Sequence, residues 1–260
     1  MDFPSTATPA HRAFIRQAIE TLSVDARIVG LACSGSYSED ALDAFSDLDL
    51  VVAVAADCYG AVENERLDIV ASLGELLSAF TGEHVGEPRL VIALYGPDGL
   101  HVDFKFVEVE DAADRVDEPT VLWERDNQLS DALKTGVGAY PRLDEQWVED
   151  RFWTWIHYCA GKIGRGEYFE ATDFLGFLRG QVLGPLALQQ AGFEARGVRK
   201  IEHLLPEFAD RLRQTVAQPE KMQLQAATEH AIVLYKAMRS PDVMACTRAE
   251  QVALKALRTI

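Results

Sequence analysis

The hydrophobic period changes halfway along the chain, and this change constrains the fold more than any other feature. In the first half, stretches of alternating apolar and polar residues are interleaved with stretches of helical period. From about residue 120, long amphipathic segments rich in Leu, Ala, Gln and Arg take over. The sequence therefore predicts an α/β (α+β) domain over residues 1–120, followed by an all-α helical bundle domain over residues 121–260.

The same periods predict the individual elements. In the first half we expect helices over 9–22, 38–45 and 60–80, and strands over 27–33, 47–55, 89–95 and 101–109. Ser38 is the expected N-cap of the second helix, and the run Gly96-Pro97-Asp98-Gly99 predicts a hairpin between the last two strands. In the second half we expect helices near 144–164, 168–191, 198–217, 220–239 and 247–258.

Charge is distributed unevenly along the chain. Residues 1–120 hold 7 Lys and Arg against 23 Asp and Glu, whereas residues 121–260 hold 18 of each, so the first half carries the whole net charge of -16. Such a surface repels nucleic acid and attracts small cations, although acidity also simply aids solubility. The four cysteines are scattered without a C-x-x-C pair, which favours neither a zinc site nor a disulfide framework.

Three aspartates form the most specific polar pattern. Asp47 and Asp49 alternate with apolar residues on a predicted strand, so their carboxylates project from one face. On a later strand, the alternation in His101-Val102-Asp103-Phe104-Lys105 places Asp103 on the polar side. Adjacent carboxylates repel each other unless a cation lies between them, and Mg²⁺ prefers such hard oxygen ligands. The pattern predicts a cluster of three carboxylates that holds metal.

A small turn, Ser34-Gly35-Ser36, follows the predicted strand 27–33. Gly35 allows the backbone to approach a phosphate closely, and exposed N–H groups together with the Ser36 hydroxyl can donate to its oxygens. Phosphoryl transfer depends mainly on positioning and on metal that offsets charge. A phosphate loop beside a carboxylate cluster would supply both.

These motifs together resemble the DNA polymerase β-like nucleotidyltransferase superfamily. The resemblance covers residues 27–107 and rests on Gly35-Ser36, ten intervening residues, Asp47-Leu48-Asp49 at the start of a Val-rich strand, and a later strand with Asp103. The layout, with a helical second half, resembles the aminoglycoside and lincosamide nucleotidyltransferase-like group. Many members have Gly-Gly-Ser at the loop where this chain has Ser34-Gly35-Ser36.

The resemblance implies a mixed sheet and a role for each motif residue. Ser34, Gly35 and Ser36 would bind the phosphates of ATP or another nucleoside triphosphate, Asp47 and Asp49 would bind two Mg²⁺ ions, and Asp103 would act as a third ligand or as a base. The implied reaction transfers a nucleoside monophosphate, AMP from ATP, to a hydroxyl of a small polar or cationic acceptor such as an aminoglycoside-like compound, and releases pyrophosphate.

The second half offers further candidates around the break Gly164-Arg165-Gly166. Lys162 could reach a triphosphate, and one of Glu167, Glu170 and Asp173 could bind a cationic acceptor or deprotonate its hydroxyl. Helix capping is the simpler explanation, because Lys162 lies near a helix C-terminus and Glu167 near a helix N-terminus, where each suits the helix dipole.

Two alternatives to a small-molecule acceptor remain open. One is transfer to a protein or RNA, and the acidity of the first half disfavours RNA. The other is a non-catalytic nucleotide-binding regulator of the same fold. The sequence shows no apolar run of membrane-spanning length and no signal peptide, so we expect no membrane partner and a cytoplasmic location.

Overall fold

The computed structural model describes residues 2–260, and these residues form two compact units divided between Tyr140 and Pro141. The division falls later than the predicted boundary after residue 120. The reason is that residues 120–124 form a strand that pairs with the sheet of the first unit, and the helix after it packs on the same sheet. The predicted class, an α/β domain with a mixed sheet followed by a helical unit, is confirmed.

The first unit alternates helices and strands along the chain. Its regular elements are α1 (Pro9–Leu22), β1 (Ile28–Ser34), β2 (Leu48–Val54), α2 (Tyr59–Ala71), β3 (Leu76–Gly82), β4 (Glu87–Tyr95), β5 (Leu100–Glu108), β6 (Thr120–Glu124) and α3 (Gln128–Leu133). Helix α1 begins at a capping box in which Thr8 accepts from the backbone of His11 while the His11 ring binds the Thr8 backbone.

Within residues 2–260 the strands form one mixed sheet of six, in the order β3-β4-β5-β2-β1-β6. Strands β2 and β5 are parallel, and every other neighbouring pair is antiparallel. The predicted hairpin is confirmed as β4 and β5, joined by residues 96–99. Because β2 and β5 are parallel and adjacent, both strands begin at the same end of the sheet.

The two faces of the sheet differ in chemistry. Leu48, Leu50 and Val52 of β2 face a large core that also contains the buried sides of α1 and α2. Asp49 and Val51 alternate with them and therefore face the opposite side, where a smaller apolar cluster includes Ala53, Val107 and Leu129. The opposite side, which we call the carboxylate face, carries the polar motif residues.

The helix predicted over 38–45 is absent, and residues 38–45 form turns instead. Ser38 does not cap a helix: its hydroxyl donates to the Cys33 carbonyl at 2.8 Å. Asp40 has a positive φ of 50° and accepts hydrogen bonds from Ser5 and Thr6. Side-chain hydrogen bonds to the backbone and to neighbouring hydroxyls compete in this way with the backbone hydrogen bonds that a helix would make.

The helix predicted over 60–80 is correct only in its first part. Helix α2 ends at Ala71, and residues 76–82 form the edge strand β3, which is antiparallel to β4. Leu76 and Leu77 fit a helical repeat, but Gly74 interrupts it, and pairing with β4 decides the conformation of the segment.

The second unit is helical throughout its regular elements. These are α4 (Glu145–Gly164), α5 (Tyr168–Leu178), a π-helical segment (Arg179–Leu183), α6 (Gly184–Gln190), α7 (Ile201–Leu204), α8 (Pro206–Leu212), α9 (Lys221–Met238) and α10 (Thr247–Arg258). The helices predicted near 144–164, 220–239 and 247–258 are confirmed, whereas the one near 198–217 is divided at Pro206 into two short helices. In residues 2–260, every helix is too short or too polar to cross a lipid bilayer.

Candidate functional site

Asp49 and Asp103 occupy directly paired positions on the parallel strands β2 and β5. Ser34, at the end of β1, pairs with Asp49 from the other side. The three side chains belong to three neighbouring strands and share the carboxylate face, because paired residues of adjacent strands point the same way. Strand pairing therefore brings together a loop residue and two carboxylates that are distant in sequence.

Asp47 lies just before β2, is half-buried, and completes the predicted trio in sequence. Its charge acts on Asp103: burial raises the pKa of the Asp103 carboxyl, and Asp47 raises it further, while His101 lowers it. Burial also raises the pKa of the Cys33 thiol, and the charges of Asp49 and Asp47 add to this effect. The three aspartates thus create one region of negative potential where β2 and β5 begin.

His101 is a site neighbour that the sequence pattern placed on the correct face without assigning it a role. Its Nε2 lies 3.0 Å from Asp103 Oδ1, and the side chains are 50% and 23% exposed. The alternation along β5, which puts residues 101 and 103 on one face, was the signal for this contact. His101 is therefore a direct contact of the Asp103 carboxylate.

The chemistry of the aspartate oxygens suits Mg²⁺, which takes hard carboxylate and water ligands. Within residues 2–260, however, no group of three or more His, Cys, Asp or Glu side chains is arranged as a preformed metal cage. The register of β2 and β5 places Asp49 beside Asp103, and Asp47 lies two residues before Asp49. The assignment of Asp47, Asp49 and Asp103 as metal ligands stays a prediction.

Gly35 is the residue of the loop whose geometry is most restrictive. Its φ is +59°, in the left-handed region that favours glycine. A Cβ added at this position would lie 2.5 Å from Asp49 Oδ2, which is closer than real Cβ contacts. The loop backbone therefore passes directly against the Asp49 carboxylate, and only glycine permits this approach.

The two serines of the loop have different surroundings. Ser34 Oγ contacts the backbone oxygen of Asp49 at 3.5 Å, so it ties the loop to β2. Gly35 to Tyr37 form a single 3₁₀ turn, and the Ser36 carbonyl accepts from the Ala41 amide at 2.9 Å. The Ser36 hydroxyl makes no hydrogen bond to any residue in 2–260, and it can therefore donate to a ligand oxygen.

Replacing Gly35 by Ala should displace the Asp49 carboxylate as well as strain the backbone. We expect a stability loss of about 1–2 kcal/mol from the positive φ, together with a loss of ATP binding. The matched control is Gly86→Ala, since Gly86 also has a positive φ, of 80°, but open space around the added Cβ. Chemical denaturation and ATP titration of both variants measure the two effects, and equal ATP binding in the two variants would contradict a role for Gly35 in the site.

Lys162 lies in the last turn of α4, in the second unit, and its ammonium is already paired there. Its Nζ lies 2.6 Å from Glu167 Oε2 and 3.3 Å from Glu170 Oε1, and it sits over the Tyr158 ring. The hydrogen bond to Glu167 is the main cause of the raised pKa of Lys162. The contacts agree with the helix-terminal explanation, and the assignment of Lys162 to the nucleotide stays a prediction.

The acidic residues near the same break are also largely paired. Glu167 binds Arg165 as well as Lys162, and the hydrogen bond from Tyr158 is the main cause of the lowered pKa of Glu170. Asp173 is exposed on α5. Two of the three carboxylates that were candidates for the acceptor therefore already have cationic partners within their own unit.

Comparison with known proteins gives similarities at the level of structure only. No family model matches the sequence, and no curated protein matches it. A solved aminoglycoside 6-adenyltransferase from Bacillus subtilis is 16% identical, with 93% of this chain and 90% of that chain covered and a TM-score of 0.34. A nucleotidyltransferase-like protein from Exiguobacterium sibiricum 255-15 is 13% identical, with 95% and 80% covered and a TM-score of 0.40. The chain is thus similar, at low identity and along most of its length, to two structures of the nucleotidyltransferase type.

Proposed function

We propose that this protein is a metal-dependent nucleotidyltransferase that transfers a nucleoside monophosphate, AMP from ATP, to a hydroxyl of a small polar or cationic acceptor. One observation carries the proposal: the Gly35 backbone lies against the carboxylate of Asp49, which is itself paired across the strands with Asp103. A loop that approaches phosphate and two acidic side chains that suit Mg²⁺ are thereby held at one point of the carboxylate face.

The residues divide the work in a way that follows from their positions. Gly35 and Ser36 contact the phosphates, because the Gly35 conformation leaves the backbone open and the Ser36 hydroxyl makes no hydrogen bond within residues 2–260. Asp49 and Asp103 would hold the metal beside the reacting phosphate, and His101 contacts Asp103 at 3.0 Å. Asp103 serves either as a third metal ligand or as the base that accepts the proton of the acceptor hydroxyl.

Magnesium is required in this proposal because of charge. The nucleotide is anionic, and the first half of the chain already carries 23 Asp and Glu against 7 Lys and Arg. When bound, Mg²⁺ would offset this charge and polarise the phosphate that reacts. Asp47, Asp49 and Asp103 are the residues that would hold it.

A cationic acceptor would be attracted by the same negative field. We expect kcat/KM for such an acceptor, measured at saturating Mg-ATP, to fall steeply as salt rises, because salt screens charges over about 8–10 Å at physiological ionic strength. A neutral acceptor tested in parallel is the control for effects of salt on ATP binding. A flat or rising profile for the cation would contradict steering by the acidic surface.

The test of the proposed function is product formation. The purified protein is incubated with Mg²⁺, labelled ATP and a panel of aminoglycosides and other amino- or hydroxyl-rich metabolites, and pyrophosphate release and labelled products are measured. We expect Mg²⁺-dependent labelling of one acceptor class. Labelling of a protein or an RNA would favour a macromolecular acceptor over a small molecule. ATP binding without any transfer would favour a nucleotide-binding regulator over an enzyme.

A further inference from the structure

An open cavity lies on the carboxylate face of the first unit, next to the candidate site. It shares Ser34 with the phosphate loop, and its lining includes Val51 and Lys105, the next residues on this face after Asp49 and Asp103. Two residues along a strand span about 7 Å. The cavity therefore begins within the length of one small molecule from the two carboxylates.

The interior of the cavity is mostly apolar. Its volume, which includes space open to solvent, is about 520 Å³. Aliphatic residues from the sheet, from the segment after β5 and from α3 form its walls: Val51, Val107, Ala112, Val116, Leu129 and Leu133. A ligand that carries a hydroxyl or ammonium on nearly every carbon would lose hydrogen bonds to water against these walls. The walls favour a ring or a short alkyl chain.

The charged residues of the lining give the cavity a negative rim. Asp111, Asp114 and Asp117 line it, together with Lys105 and Arg115. Both cations are paired with carboxylates outside the lining: Lys105 Nζ lies 3.2 Å from Glu87 Oε2, and Arg115 Nη2 lies 2.6 Å from Glu118 Oε2.

Two of the rim carboxylates lack such partners. Asp111 and Asp114 are exposed, and they make no side-chain hydrogen bond or ion pair within residues 2–260. The lining therefore combines apolar side chains with two carboxylates that are not ion-paired, of which Asp111 also interacts electrostatically with Arg89.

We propose that this cavity binds the apolar part of an acceptor that carries an ammonium group, with the ammonium at the aspartate rim. The description of this ligand as an acceptor rests on the proposed function, whereas its binding does not. The ligand is an amine with one apolar ring or alkyl chain, and its reacting hydroxyl reaches back past Ser34 toward Asp49 and Asp103. This chemistry differs from that of a polyhydroxylated polycation, which the apolar walls disfavour.

Direct binding of a simple probe to the whole protein, without nucleotide, tests the cavity. Isothermal titration compares 3-phenylpropylamine with 3-phenylpropan-1-ol, which has the same apolar part but no charge. We expect the amine to bind about tenfold more tightly at low salt, and the difference to shrink as salt rises. Equal affinities of amine and alcohol, or no binding of the amine, would overturn the proposal.

Three variants locate the binding. Val116 is 46% exposed, so Val116→Trp should fill the mouth without disturbing the core and should abolish binding of both probes. The double variant Asp111→Asn with Asp114→Asn should weaken the amine roughly three- to tenfold and leave the alcohol unchanged. Asp68→Asn, which removes one carboxylate charge on α2 across the sheet, should alter neither. Wild-type amine affinity in both Val116→Trp and the double variant would contradict this site.

The outcomes separate this inference from the proposed function. Binding of the amine in the cavity, without nucleotide transfer to any hydroxyl compound, would support the cavity as a binding site and contradict the proposed enzymatic activity. Nucleotide transfer by a protein that does not bind the amine would contradict only the assignment of the cavity as an amine-binding site.

Discussion

The variant Asp49→Asn should lose Mg²⁺-dependent nucleotidyl transfer while keeping its fold. The amide has the shape of the carboxylate but not its charge, so it cannot replace the carboxylate as a ligand of the metal that offsets charge on the phosphates. We expect kcat/KM to fall on the order of 10²–10³-fold, since metal stabilisation of this kind contributes several kcal/mol. Pyrophosphate release at saturating Mg-ATP measures the loss.

The same substitution should not destabilise the protein. Asp49 and Asp103 are directly paired on adjacent strands, and removal of one of two facing like charges relieves a repulsion of roughly 0.2–1 kcal/mol. The control is Asp68→Asn on α2, which packs on the opposite face of the sheet and should retain full activity. Normal turnover by Asp49→Asn would show that Asp49 does not hold metal.

The variant Glu149→Ala should strongly destabilise the helical unit. Glu149 is fully buried on α4, and its carboxylate accepts from Trp153 Nε1 at 3.0 Å, from the Tyr235 hydroxyl at 2.5 Å and from the Cys246 amide at 2.7 Å. Arg239 Nη1 lies 3.4 Å away. Truncation would leave the three donors without their acceptor, while Arg239 would keep its ion pair with Glu250 at 3.2 Å. We expect a loss of about 3–5 kcal/mol.

Urea unfolding followed by near-ultraviolet circular dichroism measures this loss, because Trp153 lies in the same buried cluster. The control is Asp131→Ala, which removes an ion pair with Lys134 whose side chains are 66% and 72% exposed. Exposed pairs of this kind contribute about 0–1 kcal/mol. A change at Glu149 as small as the change at Asp131 would show that the buried carboxylate is not needed for stability.

The Glu149 network should also make the wild-type protein sensitive to acid. Burial alone would raise the pKa of Glu149, but hydrogen bonds from Tyr235, Cys246 and Trp153, together with the charge of Arg239, lower it below its ordinary value. The resulting stability is present above the pKa of the unfolded state, and it is lost as the pH falls through the lower pKa of the folded state. Glu149→Ala should therefore show a weaker dependence of stability on pH in the acidic range.

Local patterns in the sequence were enough to predict much of the architecture. Helices α1, α4, α9 and α10 have continuous periods and clear ends, and the hairpin of β4 and β5 has a turn that suits it. The alternation around Asp49 and Asp103 correctly predicted which side chains share a face of each strand. All of these features depend on residues that are close in sequence.

Segments with ambiguous periods were decided by pairing across the sheet. Leu76 and Leu77 continue the repeat of α2, yet residues 76–82 extend because β4 offers hydrogen bonds to this edge. Strand β6 was assigned to the helical half, although it pairs with β1 in the first unit. Pairing with a strand distant in sequence stabilises a short segment more than its own helix or strand propensity does, so local sequence could not predict its conformation.

The sequence by itself determined the residue types of the candidate site: a glycine and a serine after one strand, and aspartates alternating with apolar residues on two others. Only the tertiary structure decided that β2 lies beside β5 in parallel, that Gly35 passes against the Asp49 carboxylate, and that an apolar cavity with an acidic rim opens next to Ser34. The physical reason is that alternation along a strand fixes the face of a side chain, whereas its neighbours depend on register between strands and on packing of distant segments.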